Sequence, residues 1–405
     1  MWNIREEHRK WMAVGGLVCF IGLGWLTPIS AQKKSSDLPR NHRSHTDSNP
    51  ISLSTPDRLE DAVWWPTKGT APRNEYVGTE ECAKCHHAKA TSQTLTEMAH
   101  ASTRSIDPAL DGQPRLNFRE GSYDYDILRR GDSAVESVAD GRASISRRLL
   151  FAFGEGLVGH TYIYESEGNL YESHVSYYSA IKGLDLTTGH LQSQFADLAA
   201  ALGRQLELRE AQKCFGCHTT ASTTVNHFDP SQALAGVTCE ACHGPGSRHV
   251  LAMMAGQVAR GKKSIFNPGD LDSASSVDFC GACHRTSGDV VGMNVGGVAT
   301  VRFQPFRLEQ SRCWKSANEQ LTCVTCHDPH EPLAQNSAQY DHICLRCHSP
   351  NAGDGQRIGR GQLMCKVSKV ECVTCHMPRV EIPGMHHTFV DHWIRIARSN
   401  EPYPN

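Results

Sequence analysis

Short α-helices and irregular loops packed around bound groups, with a small antiparallel β-sheet inserted among them, are the fold class that three features of this 405-residue sequence predict. One five-residue cysteine–histidine pattern recurs seven times. The polypeptide is poor in core-forming side chains. One long interval without the pattern alternates between apolar and polar residues.

The pattern is C-x-x-C-H. It occurs at Cys82-Cys85-His86, Cys214-Cys217-His218, Cys239-Cys242-His243, Cys280-Cys283-His284, Cys323-Cys326-His327, Cys344-Cys347-His348 and Cys372-Cys375-His376, here motifs 1 to 7. It is the signature of c-type haem attachment. Each thiol adds across a porphyrin vinyl group, and the adjacent imidazole becomes the proximal ligand of the iron. The competing readings of a C-x-x-C pair are a zinc site and a redox dithiol. Zinc ribbons need two pairs per metal and have no use for a histidine after every pair. Here all seven pairs carry one, and they take 14 of the 17 cysteines. Seven covalent haems are expected.

Aromatic residues make up 7% of the chain and the mean hydropathy is −0.43, so side chains alone supply little core. Seven porphyrins replace them as core material, with about 47 residues available to each from Tyr76 onward. The formal charge is −2, and two propionates per haem make the loaded protein more acidic. That balance, without a basic patch interleaved with aromatics, excludes a nucleic-acid partner.

In chain order, residues 1–31 read as a signal peptide or membrane anchor. Arg5, Arg9 and Lys10 precede an apolar run from Trp11 to Leu26, and Ile29-Ser30-Ala31 suits cleavage. Cleavage is favoured because the run is short for a bilayer span. Either outcome puts the remainder in the periplasm or elsewhere outside the cytoplasm, with a membrane tether if the segment stays. Residues 32–75, rich in Ser, Pro, Asn, Asp and Arg, read as a flexible linker. A haem-bearing domain follows over 76–405. In the interval between Cys85 and Cys214, Tyr123–Leu128 alternates, Asp140-Gly141 marks a turn, and Thr161–Tyr164 faces Leu170–Ser173 across a turn at Gly168-Asn169. The inserted sheet is placed at about 116–178. Phe195, Leu198, Ala199, Leu202 and Leu206 then fall at helical spacing and lead into Cys214. The other six motifs crowd into 214–392, at intervals too uneven for a solenoid.

Several phrases resemble the cytochrome c-552/4 (c-554-like) family of multihaem proteins: Tyr76-Val-Gly-Thr-Glu-Glu-Cys-Ala-Lys-Cys-His followed by His100-Ala101, Gly236-Val-Thr-Cys-Glu-Ala-Cys-His-Gly-Pro-Gly-Ser-Arg-His249, Ser311-Arg-Cys-Trp314, Cys323-Val-Thr-Cys-His-Asp-Pro-His330, and Cys372-Val-Thr-Cys-His-Met-Pro-Arg379. The resemblance covers nearly everything from Tyr76 onward. It implies stacked haem pairs and bis-histidine ligation, with His100, His249 and His330 at the family's distal positions. The family includes electron carriers and nitrogen- and sulfur-compound oxidoreductases. The C-x-x-C-K variant at the active haem of nitrite reductases is absent from this sequence.

Twelve of the 22 histidines remain as distal candidates once the seven proximal ones and His8, His42 and His45 are set aside. After His100, His249 and His330 come His386 and His392, which follow the last motif, and then His190. For a seventh position His160, His174, His227, His342 and His387 stay open. Met293 and Met377 are thioether alternatives better suited to packing. His330, separated from His327 by only two residues, is expected on a different iron, because so short a loop cannot pass round a macrocycle. Cys313 and Cys365, outside the motifs, are expected to form a disulfide in an oxidising compartment. The favoured function is an electron relay between redox partner proteins, or from a quinol-linked membrane donor. The alternative is an oxidoreductase acting on a small nitrogen or sulfur compound at one open haem, with motif 2 the candidate. No catalytic residue is assigned.

Overall fold

Residues 71–104, 110, 115–154, 158–190, 194–224, 227–316, 321–348, 365 and 367–398 are described by a computed structural model of the chain. The expected signal or anchor segment and the linker up to residue 70 lie outside them. Among the described residues no helix is long and apolar enough to cross a membrane.

Motif 1 lies on helix α1 (Thr79–Gln93). A nine-stranded antiparallel sheet follows: β1 (Ser102–Arg104), β2 (Arg115–Glu120), β3 (Tyr123–Arg130), β4 (Ser133–Ala139), β5 (Ser144–Phe153), β6 (Gly159–Ser166), β7 (Asn169–Tyr178), β8 (Gly183–Leu186) and β9 (Gly203–Gln205). Strands β2 to β8 form a meander in chain order, β1 pairs with β5, and β9 pairs with β7. Alternation drives its shape. Tyr125 and Ile127 on β3, Ala134, Glu136 and Val138 on β4, and Tyr162 and Tyr164 on β6 are buried. That apolar face needs cover, and the sheet supplies it by curling until β2 lies against β8. Helix α2 (Leu198–Leu202), capped by Asp197 through the Ala200 N–H, adds Ala201 and Leu202 to the same core.

The sheet is therefore larger than the small insert expected at 116–178, and it curls nearly into a barrel. The strands that extend it are three or four residues long, too short for a period of two to register in the sequence. The tight turn between β6 and β7 is Glu167-Gly168, both at positive φ, one residue before the expected position. The expected helical run through Leu206 breaks at Gly203, where β9 passes so close to the Glu172 carbonyl and Tyr164 that a Cβ would not fit.

Two register shifts, between Leu149 and Phe151 of β5 and opposite Thr161 to Ile163 in β7, bend β5 and β7. Beyond them Phe151, Phe153 and Ile163 leave the sheet's main core. They pack on Ala211 and Phe215 of α3 (Leu208–His218), the helix that carries motif 2. The remainder is short helices and loops, as expected: α4 (Cys239–His243), α5 (Ser247–Met254), α6 (Val258–Lys263), α7 (Ser273–His284), α8 (Ser287–Met293), α9 (Gln304–Glu309), α10 (Arg312–Ser316), α11 (Cys323–Cys326), α12 (Asp341–His348) and α13 (Cys372–His376). A hairpin of Arg379–Glu381 with Thr388–Val390 then leads to His392.

Candidate haem-binding sites

Each motif sits on a helical turn, and helical geometry explains why the spacing works. Residues three apart share a helix face, so both thiols of a motif point the same way, with the histidine beside them. In α3, α4, α7, α12 and α13 the helix ends on the motif histidine; α11 ends one residue before His327. In α1 the backbone kinks at His86 itself, with φ −111° and ψ 40°.

The imidazoles are turned for metal binding. Nδ1 of His218 donates to the Ala101 carbonyl at 2.9 Å, that of His243 to Phe266 at 2.9 Å, and that of His376 to Arg395 at 2.9 Å. Two distal candidates do likewise: His249 to Gly261 at 2.9 Å and His392 to Val390 at 3.0 Å. A proton held on Nδ1 by a carbonyl leaves the lone pair on Nε2, the arrangement of a ligating histidine. His330 places Nδ1 2.9 Å from the Asp328 carboxylate, to the same effect. Burial pushes His243 and His327 downward and His392 down to about 4, so these rings are neutral.

Three pairs of imidazoles face each other. Ring centres are 6.3 Å apart for His86 and His249, 6.1 Å for His243 and His330, and 6.3 Å for His327 and His392. Two imidazoles on one metal, with bonds of about 2.0 Å and about 1.1 Å from nitrogen to ring centre, require about 6.2 Å. The residues present therefore fit a haem iron between each pair. His330 faces His243 of motif 3, not its sequence neighbour His327.

The other candidates lie differently. His386 directs Nε2 to Asp185 of β8 at 2.7 Å and packs edge-on against Tyr178. His190 has Nε2 3.0 Å from Glu172 and Nδ1 3.1 Å from Nδ1 of buried His174. Both thus engage Nε2 with a carboxylate. His100 is exposed just beyond α1. Burial, and then His190, push His174 down to about 4. His218 stacks on Phe153, with ring centres 5.2 Å apart.

The motifs touch one another in a definite order. Thiols meet between Cys82 and Cys239, between Cys280 and Cys323, and between Cys344 and Cys372. Cys217 reaches the Ala282 carbonyl at 3.7 Å, which joins motif 2 to motif 4. Burial and then the nearby Cys344 push Cys326 up to about 11, which places motif 5 beside motif 6. Cys313 and Cys365 are both unbonded, so the expected disulfide does not form. Cys313 feels the charges of Cys344 and Cys347, and Cys365 is exposed, bonded to the Ser368 N–H.

Sequence reasoning missed the acidic residues that hold these parts together. Asp391, beside His392, forms a two-bond pair with fully buried Arg307 at 3.0 and 3.1 Å, over the face of Trp393. Glu240, inside motif 3, and Asp341, at the start of α12, bond to backbone N–H groups of other helices. A charged residue adjoining a ligand histidine or a motif cysteine is the sequence signal that could have found them.

Helix-borne C-x-x-C-H motifs with imidazoles paired at metal-sharing distance define a multihaem c-type cytochrome, and the chain belongs to that class. Within it, residues 171–244 match the family described as "Cytochrome c554 and c-prime". The chain is 23% identical over 182 residues to "Multiheme cytochrome MtrA" of Shewanella baltica (strain OS185), an alignment covering 42% of this chain and 46% of that protein. It thus spans about half the length of the curated relative. A structural comparison with "Outer Cell Wall Cytochrome OcwA" gives a TM-score of 0.44 at 15% identity, over 79% of this chain and 80% of that one.

Proposed function

We propose that the chain relays electrons through seven covalently bound haems, outside the cytoplasm, between redox partner proteins or from a quinol-linked membrane donor. When bound, haems take up and release single electrons. The observation that carries the reading is the imidazole pairing at motifs 1, 3 and 5. His249, His330 and His392 lie opposite the histidines of motifs 1, 3 and 5, so two imidazoles of the chain would hold each of these haems when bound. Residues holding a haem in this way would let it exchange electrons while keeping substrates off it. The contacts between motifs supply continuity, 1 with 3, 4 with 5, 6 with 7 and 2 with 4, and motif 6 lies near motif 5. His330, three residues from His327, joins the first pair to the rest.

Motif 2 is where the alternative reading would act. Its helix packs on the curled sheet, which forms a wall over His218 through Phe153. Ferric EPR separates the two. Low-spin signals throughout, indifferent to nitrite, hydroxylamine and cyanide, are the result a pure relay requires. A high-spin signal that shifts on adding one of them would assign catalysis to an open haem.

A further inference from the structure

Four haem-bearing helices, α1, α3, α4 and α13, have no side-chain N-cap bond of their own, and two of them, α1 and α13, are met at their start by a carboxylate from another helix. α1 starts after Gly78 and α13 after Glu371, both at positive φ, and neither N-cap side chain accepts a bond from its helix. The first N–H groups of a helix need an acceptor. Here a carboxylate from another haem-bearing helix binds the N–H groups at the helix start: at the N-cap and the residue before it in α1, and at the N-cap and first residue in α13. Glu240 of α4 accepts from Val77 and Gly78 at 2.9 Å each, and from Gly246 at 2.8 Å. Asp341 of α12 accepts from Glu371 at 2.6 Å and Cys372 at 2.8 Å. Both residues are buried, Glu240 with 1% of its surface exposed.

The helices joined this way are the ones whose first cysteines touch, Cys82 with Cys239 and Cys344 with Cys372. The third thiol contact, Cys280 with Cys323, joins helices that cap themselves: α7 through Asp272, and α11 through Thr322 and Thr325.

We propose that Glu240 and Asp341 are positioning residues that set the register of two haem pairs, motif 1 with motif 3 and motif 6 with motif 7. The inference rests on reading each motif as a haem site. A carboxylate at a helix N-terminus gains from the bonds and from the helix dipole. Sliding or rotating one helix against the other breaks two or three such bonds together, so each pair has one favoured register. The first cysteine anchors an edge of the porphyrin, and helix register thereby becomes porphyrin register. The same carboxylates place negative charge beside both anchors of a pair: Glu240 acts on Cys82 and Cys239, and Asp341 on Cys344 and Cys372.

The test uses the full haem-loaded chain and the variants Glu240→Gln, Asp341→Asn, Glu240→Ala and Asp341→Ala. Intact mass counts haems, Soret circular dichroism reads the exciton couplet of overlapping porphyrins, and a potentiometric titration reads midpoints. The charge-removing Gln and Asn variants should keep the couplet and raise the midpoints of two haems each. The Ala variants should keep the haem count and lose part of the couplet. Unchanged couplet and midpoints in all four overturn the proposal. If the Ala variants fail to accumulate, unchanged midpoints in Glu240→Gln and Asp341→Asn overturn it on their own. A wild-type mass lacking haem at these motifs would instead defeat the haem reading itself.

Discussion

His330 separates nearness in sequence from nearness in space. It stands three residues after His327 yet faces His243, 6.1 Å away between ring centres. His330→Ala should therefore turn one haem high-spin in ferric EPR, and the affected haem should be the one at Cys239 and Cys242. A second substitution, His327→Ala, should add high-spin intensity equivalent to one further haem; no gain over the single variant would contradict the assignment. Glu136 makes the opposite point, a residue whose role the sequence did not signal. It is fully buried inside the curled sheet, where the Ser173 hydroxyl donates to it at 2.6 Å. Burial pushes its carboxyl up to about 8 from an ordinary 4.5. Between those values the unfolded chain gives up a proton that the folded chain keeps. Its contribution is thus fully present below pH 4.5 and declines as pH rises towards 8, by at most ~1.4 kcal/mol per pH unit. Glu136→Gln should raise the melting temperature at pH 8 and leave it nearly unchanged at pH 4.5, as followed by thermal unfolding of the loaded protein.

At the scale of elements, the haem motifs were legible because covalent chemistry dictates their spacing. The sheet was legible where strands run six residues or more, since alternation from Tyr123 to Arg130 and from Ser133 to Ala139 leaves a visible period. Its closure was not, because contact between β2 and β8 depends on accumulated curvature rather than on any one residue. Nor was the disulfide expectation sound: two leftover thiols carry no information about distance, and Cys313 turned out to neighbour motif 6. The C-terminal segment is held by the Arg307–Asp391 pair, both partners fully buried. Asp391→Ala would strand the guanidinium in the interior, at a cost of about 3–5 kcal/mol. Denaturant unfolding should show that loss. EPR should show His392 detached from motif 5, because Ser311 and Asp391 hold the backbone on either side of it.

For the whole molecule, the motifs form a branched path in which motif 5 has three neighbours: motif 4 through the Cys280–Cys323 thiol contact, motif 6 through the nearness of Cys326 to Cys344, and motif 3 through His330. If each of the seven motifs carries a haem, as proposed, a complete reductive titration should take seven electron equivalents and the intact mass should show seven covalent additions. Fewer than six of either, from a host competent in haem attachment, would remove the relay. Pairing of motifs was beyond the sequence, since the contacts between motifs 1 and 3 span as many as 163 residues, from Val77 to Glu240.

In all three imidazole pairs the second ring comes later in the chain than the motif it serves: His249 after His86, His330 after His243, and His392 after His327. The Glu240 cap likewise reaches back 163 residues to Val77. A chain that emerges N-terminus first therefore presents each of these motifs before the piece that will close over it exists. Biosynthetic order is written into the topology.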